Sequence, residues 1–74
     1  MTSWEYAEIR KMSSVLWWTG PDGRRQLTDG RIIEHLNQAG RDGWELVSAT
    51  ESTSGLAARE RVTTYTVKRP AATH

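Results

Sequence analysis

Leu27–Val47, LTDGRIIEHLNQAGRDGWELV, is the stretch whose reading decides the fold, because in it a short amphipathic helix turns through glycines into a strand. Thr28 can cap the helix, Asp29 places an acid at its positive end, and Leu27 and Ile32 occupy the two positions of a hydrophobic staple. At about 100° per residue Ile32, Ile33, Leu36 and Ala39 fall on one side, while Arg31, Glu34 and Gln38 fall on the other. A helix over 29–39 with one buried face is therefore expected. Gly40 stands where a left-handed C-cap belongs, and Asp42-Gly43 supplies a second permissive turn before Trp44. So tight a reversal brings the helix directly onto the strand it feeds, 44–50.

Upstream, Val15-Leu16-Trp17-Trp18-Thr19 and Arg24-Arg25-Gln26-Leu27 flank Gly20-Pro21-Asp22-Gly23, where Pro and Gly suit the second and fourth turn positions. This predicts a hairpin over 15–27 with Thr19 opposite Arg24, Trp18 opposite Arg25, Trp17 opposite Gln26 and Leu16 opposite Leu27. In that register Arg25 can lie over the Trp18 ring. Before the hairpin, Trp4–Lys11 reads as a first strand, 4–11, with Trp4 and Tyr6 on one face and Ala7 and Ile9 on the other. Downstream, Glu51–Gly55 is turn-prone and RVTTYTVKR predicts a last strand, 61–69. Tyr65 and Val67 share a face there and are preferred over Val62 as core. Pro70 ends the strand, leaving 70–74 as a frayed tail.

The order and spacing of Trp4-Glu5-Tyr6, of Leu36-Asn37, Gly40 and Gly43-Trp44-Glu45-Leu46-Val47, and of Tyr65-Thr66-Val67-Lys68-Arg69 resemble the small bacterial domain-of-unknown-function family 4177. That resemblance implies an opening strand, one helix and a C-terminal hairpin. It brings no catalytic residue with it, because the family has no settled function. The 15–27 hairpin is longer than the link such domains have at that point.

Together these readings give an α+β fold in one domain spanning 1–74: a mostly antiparallel sheet of three main strands plus an extra β-hairpin, with one helix on one face. The expected core is Tyr6, Ile32, Ile33, Leu36, Trp44, Leu46, Tyr65 and Val67, with Thr28, Gly40 and Gly43 as caps and turns.

Composition narrows the function. Ten Lys and Arg against nine Asp and Glu leave a formal charge of +1, so no strong field draws the chain onto nucleic acid or membrane. The longest apolar run, Val15–Trp18, is four residues, which predicts no membrane span and a cytoplasmic protein. There is no Cys, and His35 and His74 are too far apart in sequence to form a zinc site, so no metal or other cofactor is expected. At 74 residues the core is small, and self-association is the expected support.

Weighed one by one, the polar residues of the decisive stretch read as structural. Trp44 reads as a plug of the helix–sheet interface rather than a stacking residue, Asn37 as a partner of the following turn, and His35 as a boundary residue rather than a base or ligand. The serines lack the frame of a nucleophile elbow, and Gly20–Arg25 lacks the ending of a phosphate loop. The expectation is a non-enzymatic binding or adaptor module acting as a homo-oligomer, with an unidentified protein partner also open. Trp17, Trp18, Arg24, Arg25 and Trp4 form the candidate interface. Two alternatives stand beside it: single-stranded nucleic-acid binding by the Trp/Arg hairpin, and a small-ligand carrier with a pocket between helix and sheet.

Overall fold

The computed structural model describes residues 3–28, 30–54 and 60–71. It is an α+β fold with elements β1 (Trp4–Met12), β2 (Val15–Gly20), β3 (Gly23–Leu27), α1 (Ile32–Arg41), β4 (Glu45–Ser54) and β5 (Glu60–Pro70). The strands form one five-stranded sheet in the order β3-β2-β1-β5-β4, each pair antiparallel. The hairpin β2–β3 is thus part of the main sheet, joined through β1, rather than an appendage to a three-stranded one. α1 links one edge strand, β3, to the other, β4, and so must cross a face of the sheet on the way.

Which face it crosses is set by strand parity. Directly paired residues share a face, and the register aligns Ile9 with Trp18 and Tyr65, Ala7 with Val67, and Leu16 with Leu27. Ala7, Ile9, Trp18, Leu27, Tyr65 and Val67 meet Trp44 and the helix residues Ile32, Leu36 and Ala39 in one cluster, with Ile9 fully buried at its centre. Tyr6 has the opposite parity on β1 and is 58% exposed, which corrects its expected place in the core. Ile33 is also corrected, at 53% exposed: it lies about 100° around the helix from Ile32, past the rim of the buried stripe. Leu46 is aligned with Val67 but sits on an edge strand beside a bulge at Val47, and half of it faces solvent. Val62, passed over in favour of Tyr65, is buried, while Tyr65 is half-buried against the core.

The helix begins and ends later than expected. Gly30 has φ +90, a left-handed backbone that a right-handed helix cannot contain, so the first turn forms beyond it. Arg31 takes the N-cap position with an extended backbone and no side-chain cap, and Thr28 is no cap at all. Asp29, residues 55–59 and residues 72–74 with His74 lie outside the described residues. Of the tail expected from 70, Pro70 pairs with Trp4 and the Ala71 N–H donates to the Ser3 carbonyl at 2.8 Å, which corrects the fraying expected there. At the other end Gly40 is helical and the left-handed residue is Gly43, φ +93. The Trp44 N–H donates to the Ala39 carbonyl at 2.9 Å and the Gly43 N–H to the Gly40 carbonyl at 3.0 Å, the paired bonds of a Schellman cap. The same turn delivers Trp44 onto Ala39, so closing the helix and seating the largest core residue are one event.

The last hairpin is longer than expected. β4 runs through Glu51–Ser54, read from sequence as a turn, and backbone pairing continues to Ser54 opposite Glu60. Thr50, Ser52, Thr63 and Thr64 suit a pleated ladder as well as a turn, and the partner strand decides between the two. Among the described residues no helix is long and apolar enough to cross a membrane.

Candidate functional site

The β2–β3 hairpin holds the register read from its turn: Leu16 opposite Leu27, Trp17 opposite Gln26, Trp18 opposite Arg25 and Thr19 opposite Arg24, with Gly20 paired to Gly23 around Pro21-Asp22. Both expected Trp/Arg pairs exist, but the pleat sends them to opposite faces. The Arg24 guanidinium lies 4.4 Å from the Trp17 ring centre on the open face. That of Arg25 lies 5.5 Å from the Trp18 ring centre on the helix side. The four residues therefore do not form one surface. Trp18 is 7% exposed and belongs to the core, which corrects its assignment to an exposed interface.

The open face carries Trp4, Tyr6, Glu8 and Arg10 of β1, Trp17 and Thr19 of β2, Arg24 of β3, and Thr64, Thr66 and Lys68 of β5. Trp4 is 43% exposed and takes the Lys68 ammonium at 4.3 Å from its ring centre. Trp4 and Trp17 thus each lie under a cation of their own sheet, contacts worth about 0.5–1 kcal/mol when exposed. Between them, Tyr6, Glu8, Thr19 and Thr66 border a shallow recess of about 240 Å³. Glu8 and Arg10 form an ion pair at 3.2 Å on this face.

The helix side holds a cleft of about 310 Å³ between the hairpin tip and the C-terminal half of α1. Its floor is Ile9, Trp18, Trp44 and Ala39, and its rim is Asp22, Arg25, His35, Gln38, Asp42 and Arg69. Trp18 and Trp44 meet edge to face, 5.4 Å between ring centres. Arg69 is fixed from three sides: it pairs with Glu5, donates to the Asp42 carbonyl at 3.1 Å, and covers the Trp44 ring at 4.3 Å. Arg25 is held more loosely, its ion pair with Asp22 spanning 3.5 Å between exposed groups. The Trp18 Nε1–H is buried without an acceptor among the described residues, an arrangement that costs about 1–3 kcal/mol. It sits against Gly20, where an added Cβ would come within 2.8 Å of it.

Asn37 is exposed and His35 stands in the cleft wall. Among the described residues no group of three His, Cys, Asp or Glu is placed to hold a metal ion. Sequence reasoning missed Arg69, Gln38, Asp42 and Asp22 as parts of one site. For Arg69 the signal was the parity that puts it on the face of Val67.

The fold and these two surfaces define a small α+β domain with one helix-covered sheet face and one that no element among the described residues covers. No family model, curated protein or solved structure matches the chain.

Proposed function

We propose that the chain is a non-enzymatic binding module that works as a homodimer, two copies meeting through the open sheet face. The observation that carries this is the exposure of Trp4 and Tyr6, with Trp17 beside them, on a face that no element among the described residues covers. Strands about 4.8 Å apart and rising about 3.3 Å per residue give this face roughly 650 Å², so a pair would bury about 1,300 Å². That is near the lower end of specific interfaces. Its charges are mixed, Glu8 and Glu45 with Arg10, Arg24 and Lys68, so a two-fold axis can set acids of one copy against bases of the other. The same mixture weakens the case for nucleic acid, which favours a face of one sign. The resemblance to family 4177 supports the fold of such a module and leaves its partner open.

Sedimentation at micromolar concentration tests the reading. Wild-type chain is expected at twice the monomer mass, and Trp17→Glu and Tyr6→Glu are expected as folded monomers. A wild-type monomer overturns the proposal. A fluorescence quench by single-stranded oligonucleotide that weakens with salt would replace it with the nucleic-acid reading.

A further inference from the structure

We infer that the cleft between the β2–β3 hairpin and α1 is a binding site for a small aromatic carboxylate, recognised by Arg25 and by the indole N–H of Trp18. The site lies on the opposite side of the sheet from the proposed dimer face and does not depend on it.

Size comes first. A volume of about 310 Å³ corresponds to about ten water molecules, the room needed for a one-ring acid and its solvation. The shape of the lining comes second. Ile9, Ala39 and the edge-to-face pair Trp18–Trp44 offer an apolar, aromatic floor on which a ring can lie.

Charge and hydrogen bonding then specify the head group. Trp18 is more than nine-tenths buried, and its Nε1–H is a donor with no acceptor among the described residues. What this N–H lacks is an acceptor atom within hydrogen-bond reach, which a ligand carboxylate, unlike an ammonium, supplies. The two guanidiniums at the rim differ in availability. Arg69 is committed to Glu5, to the Asp42 carbonyl and to the Trp44 ring, and acts as a fixed wall. Arg25 lies over the Trp18 ring at 5.5 Å, and its one ion pair among the described residues is an exposed contact with Asp22 at 3.5 Å, the kind of pair that holds weakly in water. A ligand carboxylate can take Arg25 from Asp22 with the planar, two-bond geometry that guanidinium favours.

The distances allow one carboxylate to use both donors. The Arg25 guanidinium carbon lies 5.5 Å from the Trp18 ring centre. Two hydrogen bonds of about 2.9 Å to the two oxygens of one carboxylate span donors up to roughly 6 Å apart. Asp22 stands near the nitrogen: its Oδ1 and the Trp18 Nε1 lie 3.2 Å and 2.8 Å from the position a Cβ on Gly20 would take. When Arg25 turns to the ligand, Asp22 loses its cation and moves off the indole edge. Hairpin tip and ligand thus exchange one ion pair for another, and the buried N–H gains its acceptor.

The probe is sodium benzoate titrated into ¹⁵N-labelled protein, read at the indole N–H signals of the four tryptophans. The Trp18 signal is expected to move saturably, with a dissociation constant of roughly millimolar order for a ligand of about nine heavy atoms. Acetate, which lacks the ring, and benzamide, which lacks the charge, are expected to leave it in place at the same concentrations. Arg25→Gln is expected to weaken binding by about tenfold, the loss of one charge-assisted contact, while Arg24→Gln on the open face leaves it unchanged. Signals elsewhere report whether each variant is folded. Repeating the titration on Trp17→Glu separates this result from the dimer proposal, because binding persists there whether or not the wild type dimerises. No saturable shift of Trp18, equal shifts with benzamide, or an undiminished shift in folded Arg25→Gln each overturns the inference.

Discussion

Replacing Gly43 and Gly40 by Ala, one at a time, is expected to change stability in opposite directions. Both glycines have open space where a Cβ would go, so neither substitution meets a clash and backbone conformation alone decides. At Gly43, φ is +93, and an L-residue in the left-handed region costs about 1–2 kcal/mol. The lower entropy of the unfolded Ala chain offsets part of that, by about 0.4–1 kcal/mol. The net loss is about 1 kcal/mol. Gly40 lies inside α1 with helical geometry and an exposed position, where Ala is favoured by about 0.5–1 kcal/mol. The two variants should therefore differ by about 2 kcal/mol. At about 4–8 °C per kcal/mol for a domain of this size, their melting midpoints should lie roughly 8–16 °C apart. Circular dichroism at 222 nm on heating measures this, at one protein concentration because dimerisation would shift both midpoints. Gly43→Asn should lose less than Gly43→Ala, since Asn tolerates the left-handed region. Equal midpoints, or a lower one for Gly40→Ala, would refute the assignment of the cap to Gly43 and restore it to Gly40.

Ile9 is fully buried on the central strand, so Ile9→Ala should cost about 2–5 kcal/mol, read as a lower urea midpoint. With total stabilities of about 5–15 kcal/mol common for domains, the variant should populate unfolded chain in water if this one is at the low end. Gly20→Ala forces a methyl to within 2.8 Å of the Trp18 nitrogen and should cost about 1–3 kcal/mol by overpacking, with a change in near-ultraviolet dichroism. A stability change below about 0.5 kcal/mol would refute that close approach. Arg69→Met keeps the length but loses Glu5, the Asp42 carbonyl and the charge over Trp44, and should lower stability by about 1–3 kcal/mol in a denaturant titration. Adding Glu5→Gln to it should then cost little more, because the pair is already broken.

Where local chemistry decided the outcome, the residues were legible. The Gly20-Pro21-Asp22-Gly23 turn admits one short register, and Trp18 does face Arg25. The helical period placed Ile32, Leu36 and Ala39 on the core. Where two local signals competed, tertiary context chose. Thr28 and Gly30 disagree about where the helix starts, and the left-handed Gly30 prevails. β1 has apolar residues of both parities, and nothing within it says whether Tyr6 or Ala7 and Ile9 receive the helix. The choice follows from Trp44, whose seat against Ala39, Ile9 and Val67 fills that side. The cleft was hidden for another reason. Arg25, Gln38, Asp42 and Arg69 come from four separate elements or turns, and only the strand order 3-2-1-5-4 gathers them at one end of the sheet.

That order also explains how neighbours in sequence acquire unrelated surroundings. β2 is flanked on both sides, so its residues alternate between two covered or coverable faces: Leu16 and Trp18 toward α1, Trp17 and Thr19 away from it. Cation contacts repeat on both faces, yet of the two it is Trp18 that is walled by the helix and has a donor unmatched among the described residues. The two tryptophans share a peptide bond and little else. Changes at Trp17 and at Arg25 should therefore add independently in their effects on assembly and on carboxylate binding, as expected for sites without common partners. If ligand in the cleft did alter dimerisation, the link would have to pass through the twist of the β2–β3 ribbon, since that ribbon carries Arg24 to one face and Arg25 to the other.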